Sequence, residues 1–413
     1  MRKPGRNGTS GNKNEKSLAR FKPKNVSEKK NNPDVWSKIA RHRTDIAVRV
    51  ILIAVIVIAA AGFFYVKYLN REYSSYKVIS QANISVSVGA KVRRFGNNIL
   101  IYTNDGIRCL NGKGGAIWDE TFQMQNPSID INGDVVGIAD YNGSTIHMMD
   151  SNGSLGTINT GKPIRKFNVS DKGLALAILD DTPTTPIYIY DSEGNQKAYF
   201  STSMHDSGYP LDICITENGY LVGISYLQVF NGSFKTNVAF YNFGEVGQNE
   251  TDNLVSMYSY SGAVVPKLRF IGNNKAMAVA DNRLMFYSGD QKPTSSGEVL
   301  VQDEIQSVYY GGEYAALVFR NMEKDADRYR IEIYDGSGRK KDEISFDDEF
   351  SEIFFDGKRV IVYNAEKCLI HNVGGIDKYS GEFDSAVLTV LPTNVSNRFV
   401  LVTNDSIQTI ELE

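Results

Sequence analysis

The feature that most constrains this chain is a short apolar stretch that recurs eight times after residue 96. Successive copies follow a polar turn and lie 36, 39, 46, 56, 39, 45 and 39 residues apart. The copies begin at Asn97, Gly133, Lys172, Asn218, Asn274, Glu313, Lys358 and Asn397. A period near 40 residues, with apolar residues at every second position, is typical of propeller blades built from four short strands. The chain therefore predicts an all-β fold, an eight-bladed β-propeller, with seven blades as the alternative if the long fourth repeat is misjudged.

A second recurring element is a strand that ends in a polar turn opened by Asp or Asn. It occurs as "IYIYDSEGNQKAYF" from Ile187, "IEIYDGSGRKKDEISF" from Ile331, "IHMMDSNGSLGTI" from Ile146 and "IRCLNGKGGAIW" from Ile107. Asp and Asn favour such turns because their side chains bond the backbone two residues on, and glycine supplies the positive φ that a tight hairpin needs. We therefore interpret these segments as hairpins within the blades.

The two ends of the repeat region predict how the ring closes. The last repeat stops after two strands, and it shares a "TND" turn with the first repeat. We expect residues 84–96 to supply the missing outer strands by pairing with 397–413, so that residues 81–413 form one propeller without exposed edges. "KVRRFGNN" from Lys91 and "KLRFIGNN" from Lys267 then form the fourth strand and following turn of two opposite blades. This interpretation is favoured over a basic nucleic-acid motif, and no nucleic acid is expected as a partner.

Residues 50–66, "VILIAVIVIAAAGFFYV", form an uncharged and mostly apolar run. They predict a transmembrane helix over 49–68, followed by a linker over 69–80. A cleaved signal peptide and a buried core helix are the alternatives, but the basic region ahead is long and the run has no polar face. Of the 45 Lys and Arg residues 14 precede residue 50, with 4 of the 48 Asp and Glu. Residues 1–48 are therefore predicted to be a disordered, basic, cytoplasmic tail of a single-pass cell-membrane protein whose propeller is extracytoplasmic.

Little in the sequence indicates catalysis. Cys109, Cys214 and Cys368 are widely spaced among apolar neighbours, which predicts buried free thiols. "DINGD" from Asp130 fits an ordinary turn better than a calcium loop. We find no phosphate loop, no nucleophile elbow and no closely spaced histidine pair, so neither a catalytic residue, a cofactor nor a metal ion is expected.

Recognition is expected on three long connections, at residues 180–186, 225–237 and 320–330. They are predicted to share one face of the propeller, opposite the Asp and Asn turns, and long loops on a rigid scaffold often bind partners. In the second of them we predict an exposed apolar anchor formed by Tyr226, Leu227, Phe230 and Phe234. The alternative is that this segment only extends the hairpin of its blade.

The Tyr-Asp-x-x-Gly hairpins resemble those of quinoprotein-type propellers and of the repeat scaffold in bacterial outer-membrane assembly, over roughly residues 80–413. Quinoprotein propellers repeat a tryptophan that docks neighbouring blades, whereas this domain has only Trp118. The layout as a whole is similar to an uncharacterised family of single-pass, membrane-anchored β-propeller proteins of Gram-positive bacteria.

The anchor, the closed repeat architecture and the uneven loops together predict a function. We expect a non-catalytic propeller that acts as a protein-interaction scaffold or sensor at the cell envelope. Its partner would be another envelope or membrane protein or a cell-wall ligand. The alternative is an enzyme acting on envelope glycans or peptides, with acidic residues in the propeller channel.

Overall fold

The computed structural model describes residues 33–182, 184–202, 207–322 and 325–413. It divides into two units, one ending at Leu69 and the other running from Asn70 to Glu413. The predicted disorder of residues 1–32 lies outside the described residues.

The apolar run lies in one helix, α1 (Pro33–Leu69). Its most apolar window of 18 residues has a mean hydropathy of 2.8, and its side chains from Trp36 to Lys67 are exposed rather than packed in a core. At about 1.5 Å per residue the helix extends roughly 55 Å. In the part of the chain that the structure describes, it is the one helix long and apolar enough to cross a membrane.

The prediction of disorder was therefore wrong for residues 33–48, which are helical. Pro33 suits the first turn of a helix because its missing N–H would have no partner there. From there to Gly62 no glycine or proline interrupts the chain. The basic composition that indicated disorder is compatible with a polar extension of the apolar helix.

The second unit is an eight-bladed propeller, each blade an antiparallel sheet of four strands. In chain order, β1 (Tyr76–Asn83) comes first; blade 1 has β2 (Lys91–Phe95), β3 (Asn98–Tyr102), β4 (Gly106–Asn111) and β5 (Ala116–Thr121); blade 2 has β6 (Pro127–Asn132), β7 (Val135–Asp140), β8 (Thr145–Asp150) and β9 (Gly153–Asn159); blade 3 has β10 (Ile164–Val169), β11 (Leu174–Leu179), β12 (Thr185–Asp191) and β13 (Gln196–Thr202); blade 4 has β14 (Tyr209–Ile215), β15 (Leu221–Phe230), β16 (Ser233–Asn242) and β17 (Leu254–Ser261).

The remaining blades continue the same pattern. Blade 5 has β18 (Lys267–Ile271), β19 (Lys275–Val279), β20 (Arg283–Ser288) and β21 (Thr294–Leu300); blade 6 has β22 (Ile305–Gly311), β23 (Tyr314–Arg320), β24 (Tyr329–Asp335) and β25 (Lys340–Phe346); blade 7 has β26 (Glu352–Asp356), β27 (Arg359–Tyr363), β28 (Lys367–Asn372) and β29 (Asp377–Glu382); blade 8 has β30 (Thr389–Pro392), β31 (Arg398–Val402), β32 (Ser406–Leu412) and, outermost, β1. Two 3₁₀ turns, Gly247–Asn249 and Thr251–Asn253, precede β17. The prediction of eight blades is confirmed, and seven is excluded.

Blade boundaries lie one strand earlier than predicted. The first strands of neighbouring blades contact each other, as β10 with β14 and β14 with β18, so they surround the axis of the ring. "KVRRF" is β2 and "KLRFI" is β18. Both are therefore innermost strands, not fourth strands, because a periodic pattern repeats equally well from any starting strand.

Ring closure also differs from the prediction, because the closing strand is β1 and residues 84–96 supply no outer strand to blade 8. β1 pairs with β32 in a register that runs from Tyr76 opposite Leu412 to Asn83 opposite Ser406. Half of the predicted linker over 69–80 is thus strand or bridge, whereas residues 91–95 form the inner strand of blade 1. β1 covers an edge and buries little, so its sequence carries only a weak strand pattern.

The hydrophobic core consists of layers between adjacent blades. In one such layer Phe240 of blade 4 packs with Leu268 and Tyr287 of blade 5. Gly223 on β15 lets these sheets approach closely, because a Cβ there would lie 3.0 Å from Cδ2 of Leu268 in blade 5. All three cysteines are buried and free, as predicted, and desolvation raises the pKa of the Cys109 thiol to about 11.

The predicted Asp and Asn turns are the connections between third and fourth strands. In four of them the first residue accepts a bond from the backbone N–H two residues on; these residues are Asn111, Asp150, Asp191 and Asp335. A hydrogen bond from Lys197, supported by Asn195, lowers the pKa of Asp191 to about 2. Burial alone would raise the pKa of Asp335, but bonds from Ser337 and Arg339 outweigh it and lower that pKa to about 2.

We predict that Asp335→Asn destabilises the propeller at pH 7 by about 1–2 kcal/mol, and that this difference vanishes as the pH falls from about 4 to about 2. The unfolded carboxyl group takes up its proton near pH 3.9, whereas the folded one stays ionised to about pH 2. Its stabilising effect is therefore complete above pH 4 and lost through that window. Urea unfolding at several pH values measures it. Asp134→Asn, at an exposed turn residue, is the control, and an equal difference at pH 7 and pH 2 would contradict the prediction.

Candidate functional site

Strand connectivity gives the propeller two different faces. In every blade the turn between first and second strands lies at one end, here named the turn face, and in blades 1 to 7 the turn between third and fourth strands lies there too. The turns between second and third strands and the blade-to-blade connections lie at the other end, the connection face. The three long connections predicted from sequence all join second and third strands. They therefore share the connection face, opposite the Asp and Asn turns, as predicted.

The connection in blade 4 is a rigid ribbon. β15 and β16 pair without interruption to Phe230 opposite Ser233, and their turn, Asn231–Gly232, has positive φ at both residues. This is the Asn-Gly hairpin turn that matches the twist of two strands. The ladders with the neighbouring strands end at Leu227 and Lys235, so residues 228–234 extend beyond the blade.

The predicted anchor is only partly at the surface. Phe230 is 66% exposed and Phe234 40%, and Val229 beside them is also exposed. Leu227 is half-buried. Tyr226 is 1% exposed and its hydroxyl bonds that of Tyr241, 3.1 Å away, so its ring belongs to the core and not to a binding surface. Successive side chains of a strand point to opposite faces of the sheet, and their burial depends on what packs against each face. The apolar run in the sequence does not show which of its residues a neighbouring strand or blade covers.

The described parts of the other two long connections are mostly polar or charged, with Met322 of blade 6 as an exposed apolar side chain. Asp180 and Asp181 of blade 3 form ion pairs with Arg165 and Lys162. In blade 6, Arg328 pairs with Glu349, 2.6 Å away. Positions 183, 323 and 324 in these connections lie outside the described residues. Among the described residues of the three connections, the blade 4 ribbon (residues 228–234) is the one that exposes several apolar side chains together.

Inside the ring, charged side chains join blades that are not neighbours. Arg269 of β18 reaches from blade 5 to Asp130 of β6 in blade 2, with 3.1 Å between Nη2 and Oδ1. Asp130 also accepts a 2.8 Å bond from the N–H of Val169. Asp212 of β14 accepts one of 2.8 Å from the N–H of Leu268. We call Asp130, Lys166, Asp212, Arg269 and Tyr310 the axial cluster.

The axial cluster is arranged to hold the ring together. Asp212 forms an ion pair with Lys166, so both carboxylates already have a cation and a backbone donor. Desolvation and then the Asp212 charge raise the pKa of the Tyr310 hydroxyl, which has no hydrogen-bond partner among the described residues. The innermost strands contain no histidine. The enzymatic alternative needs unpaired carboxylates close to a histidine in the channel. The described residues of the axial cluster do not form such a group.

Two histidines of the propeller lie on third strands, away from the axis. His371 of β28 is held between Asp342 and Asp377, with its ring nitrogens 2.9 Å and 2.6 Å from their oxygens. His147 is 3.7 Å from Glu120, and burial lowers its pKa. Among the described residues no group of three or more His, Cys, Asp or Glu side chains is placed to hold a metal ion.

A cavity of about 640 Å³ lies on the turn face at the seam between blades 1 and 8. Its walls include Arg94, Asn97 and Asn98 of the "KVRRFGNN" repeat, together with Lys113 and Arg398. Sequence reasoning interpreted this repeat as purely structural and missed the cavity. It forms where first and last repeats meet, so no local pattern announces it.

The match that decides the family covers the propeller. Residues 69–412 match a family described as a family of unknown function (DUF5711). The chain belongs to this family. DUF5711 membership agrees with the expected uncharacterised propeller family; its membrane anchoring and Gram-positive origin stay predictions. No curated protein matches the chain in sequence.

Several solved structures are similar to this DUF5711 chain. BamB from Moraxella catarrhalis has 10% identity and a TM-score of 0.48, over 82% of this chain and 100% of that one. Sqt1 from Saccharomyces cerevisiae has 11% identity and a TM-score of 0.49, over 83% and 99%. Hydrazine synthase from Kuenenia stuttgartiensis has 12% identity and a TM-score of 0.46, over 69% and 95%. Similarity at this level says nothing about function.

We predict that Arg269→Met destabilises the propeller by about 1–3 kcal/mol, because it leaves Asp130 without its cation; the low end allows for a guanidinium that is 43% exposed. Urea unfolding of Arg269→Met, Asp130→Asn and the double variant measures the coupling. The double variant should lose less than the sum of the two single losses. Additive losses would show that the pair does not join the two blades.

Proposed function

We propose that this DUF5711 protein is a non-catalytic scaffold or sensor of the cell envelope, anchored by α1 and carrying its propeller on the extracytoplasmic side. It binds another envelope or membrane protein, or a cell-wall ligand, through the blade 4 ribbon. The observation that carries this proposal is the exposed apolar tip of the ribbon, held by a rigid turn outside the closed ring.

The orientation rests on charge. Fourteen Lys and Arg residues precede residue 50, against four Asp and Glu. Basic residues on the N-terminal side of a membrane helix favour retention of that side in the cytoplasm. Everything after α1, including the propeller, then lies outside.

The ribbon has the properties of a recognition element. Val229 and Phe234 are cross-strand partners and Phe230 is its most exposed aromatic ring. Exposed aromatic side chains supply much of the binding energy at protein interfaces. The paired strands and the Asn231–Gly232 turn already hold them in place, so little conformational entropy is lost when a partner binds.

Cysteine labelling tests the orientation. The native thiols are buried, so the unsubstituted protein should not react with a membrane-impermeant maleimide. We expect Lys172→Cys, whose side-chain position is 65% exposed, to be labelled in intact cells, and Ser10→Cys only after permeabilisation. The reverse pattern would place the propeller in the cytoplasm and contradict the proposal.

Photo-crosslinking tests the ribbon. A photoreactive amino acid at Phe230 should give a discrete adduct in intact cells. The same group at Val88, which is fully exposed on the same face between β1 and β2, should not give it. Val229→Ser combined with Phe234→Ser should remove the adduct and leave the melting temperature nearly unchanged, because both side chains are at the surface. Identical adducts from both positions, or none from Phe230, would argue against the ribbon as the binding element.

A further inference from the structure

The seam cavity differs from the rest of the propeller in its charge. Residues 50–413 contain 31 Lys and Arg against 44 Asp and Glu, yet none of the described residues that line this cavity is acidic. Three lining residues are cationic: Arg94, Lys113 and Arg398. A second cavity beside the same seam, on the connection face, is lined by Asp105, Asp119 and Glu120 with one arginine. The seam therefore has a cationic cavity on one face and an acidic one on the other.

Ion pairs and a backbone contact hold the two arginine side chains in place. Arg94 donates through Nε to the carbonyl of Gly96 and lies 3.4 Å from Asp356, and Arg398 is 2.9 Å from Glu411. Neither carboxylate lines the cavity, and each guanidinium keeps further N–H groups that these contacts do not use. The ammonium group of Lys113 has no described partner. Together they form a preorganised set of donors for an anion.

The rest of the lining is neutral. The amides of Asn97, Asn98 and Asn394 add donors that carry no charge. Buried aliphatic side chains from Ile99 and Leu391 provide an apolar wall. An inorganic anion would satisfy the cations and leave this wall in contact with water. A ligand with both a carboxylate and a small apolar group matches the whole lining.

The second copy of the repeat shows that Arg94 is not needed to build a blade. When "KVRRFGNN" is aligned with "KLRFIGNN", Arg93 corresponds to Arg269 and Arg94 to Phe270. Phe270 packs between blades 4 and 5, with its ring 6.0 Å from that of Phe240. At the seam the same position carries a cation and borders open space instead.

We propose that the seam cavity binds an organic carboxylate with a small apolar body, either the C-terminal end of a peptide or a free N-acylated amino acid. The carboxylate lies among Arg94, Lys113 and Arg398, and the apolar body contacts Ile99 and Leu391. This site is on the turn face and does not depend on the ribbon or on its partner.

Ligand-observed NMR on the full-length protein in detergent micelles tests the site with four probes. N-acetyl-leucine should bind. N-acetyl-leucinamide, which lacks the charge, and inorganic phosphate, which lacks the apolar body, should each bind at least about tenfold more weakly. N-acetyl-glycyl-glycyl-leucine separates the two sources: tighter binding than N-acetyl-leucine assigns the site to peptide ends, and equal binding assigns it to small carboxylates.

Variants locate the binding. Lys113→Gln, at an exposed position, and Arg94→Phe, which copies the second repeat, should each weaken N-acetyl-leucine binding about fivefold or more. Lys172→Gln, an exposed lysine on the same face in blade 3, is the matched control and should bind as the wild type does. Equal binding of the amide, equal binding of phosphate, no binding of N-acetyl-leucine, or unchanged binding by Lys113→Gln would each overturn the proposal.

Discussion

The fold depends on the closure of the ring, because no blade can bury its own apolar surfaces. A four-stranded blade is apolar on both faces, and each core layer uses side chains from two neighbouring blades. An open ring would expose one face at each end. The pairing of β1 with β32 joins both ends of the propeller within blade 8, so that every layer has two sides. The side chains of β1 are mostly exposed, and it is the backbone of this strand that makes the connection.

Polar bonds at the axis add a second constraint. Asp130 and Asp212 each accept a backbone N–H from the first strand of the next blade, and Arg269 spans the ring to Asp130. Burying a carboxylate at the axis costs free energy unless cations and hydrogen-bond donors surround it. The cations and backbone donors around Asp130 and Asp212 are therefore needed for these carboxylates to be stable there. Once these groups are committed to the ring, little of the axial chemistry is left for a ligand. Recognition is then more easily placed on the two faces, where connections vary without disturbing the blades.

The sequence was sufficient for most of the features that repeat. The blade number, the Asp and Asn turns, the buried cysteines and the shared face of the long connections follow from patterns present in several copies. The strand with which each blade begins was predicted wrongly, because a periodic pattern repeats equally well from any starting strand. The other failures concern features that occur once. The sequence of β1 has only a weak strand pattern and does not recur elsewhere in the chain. Its role depends on pairing with β32, more than 300 residues later. Tyr226 belongs to a run of apolar residues whose burial only the neighbouring blade decides, and the seam cavity exists only where unlike repeats meet.

The two copies of the repeated motif, "KVRRFGNN" and "KLRFIGNN", share one structural arginine and differ at the next position. Arg93 and Arg269 both form ion pairs with another blade, Arg93 with Glu352 at 3.2 Å and Arg269 with Asp130 at 3.1 Å. Their neighbours differ, since Phe270 packs against a core layer whereas Arg94 borders a cavity. The same position packs against the core in blade 5 and borders an open, cationic space in blade 1. At the seam this position therefore does not contribute to packing between blades. Arg93 of the motif thus has a structural role, whereas Arg94 can contact a ligand in the cavity.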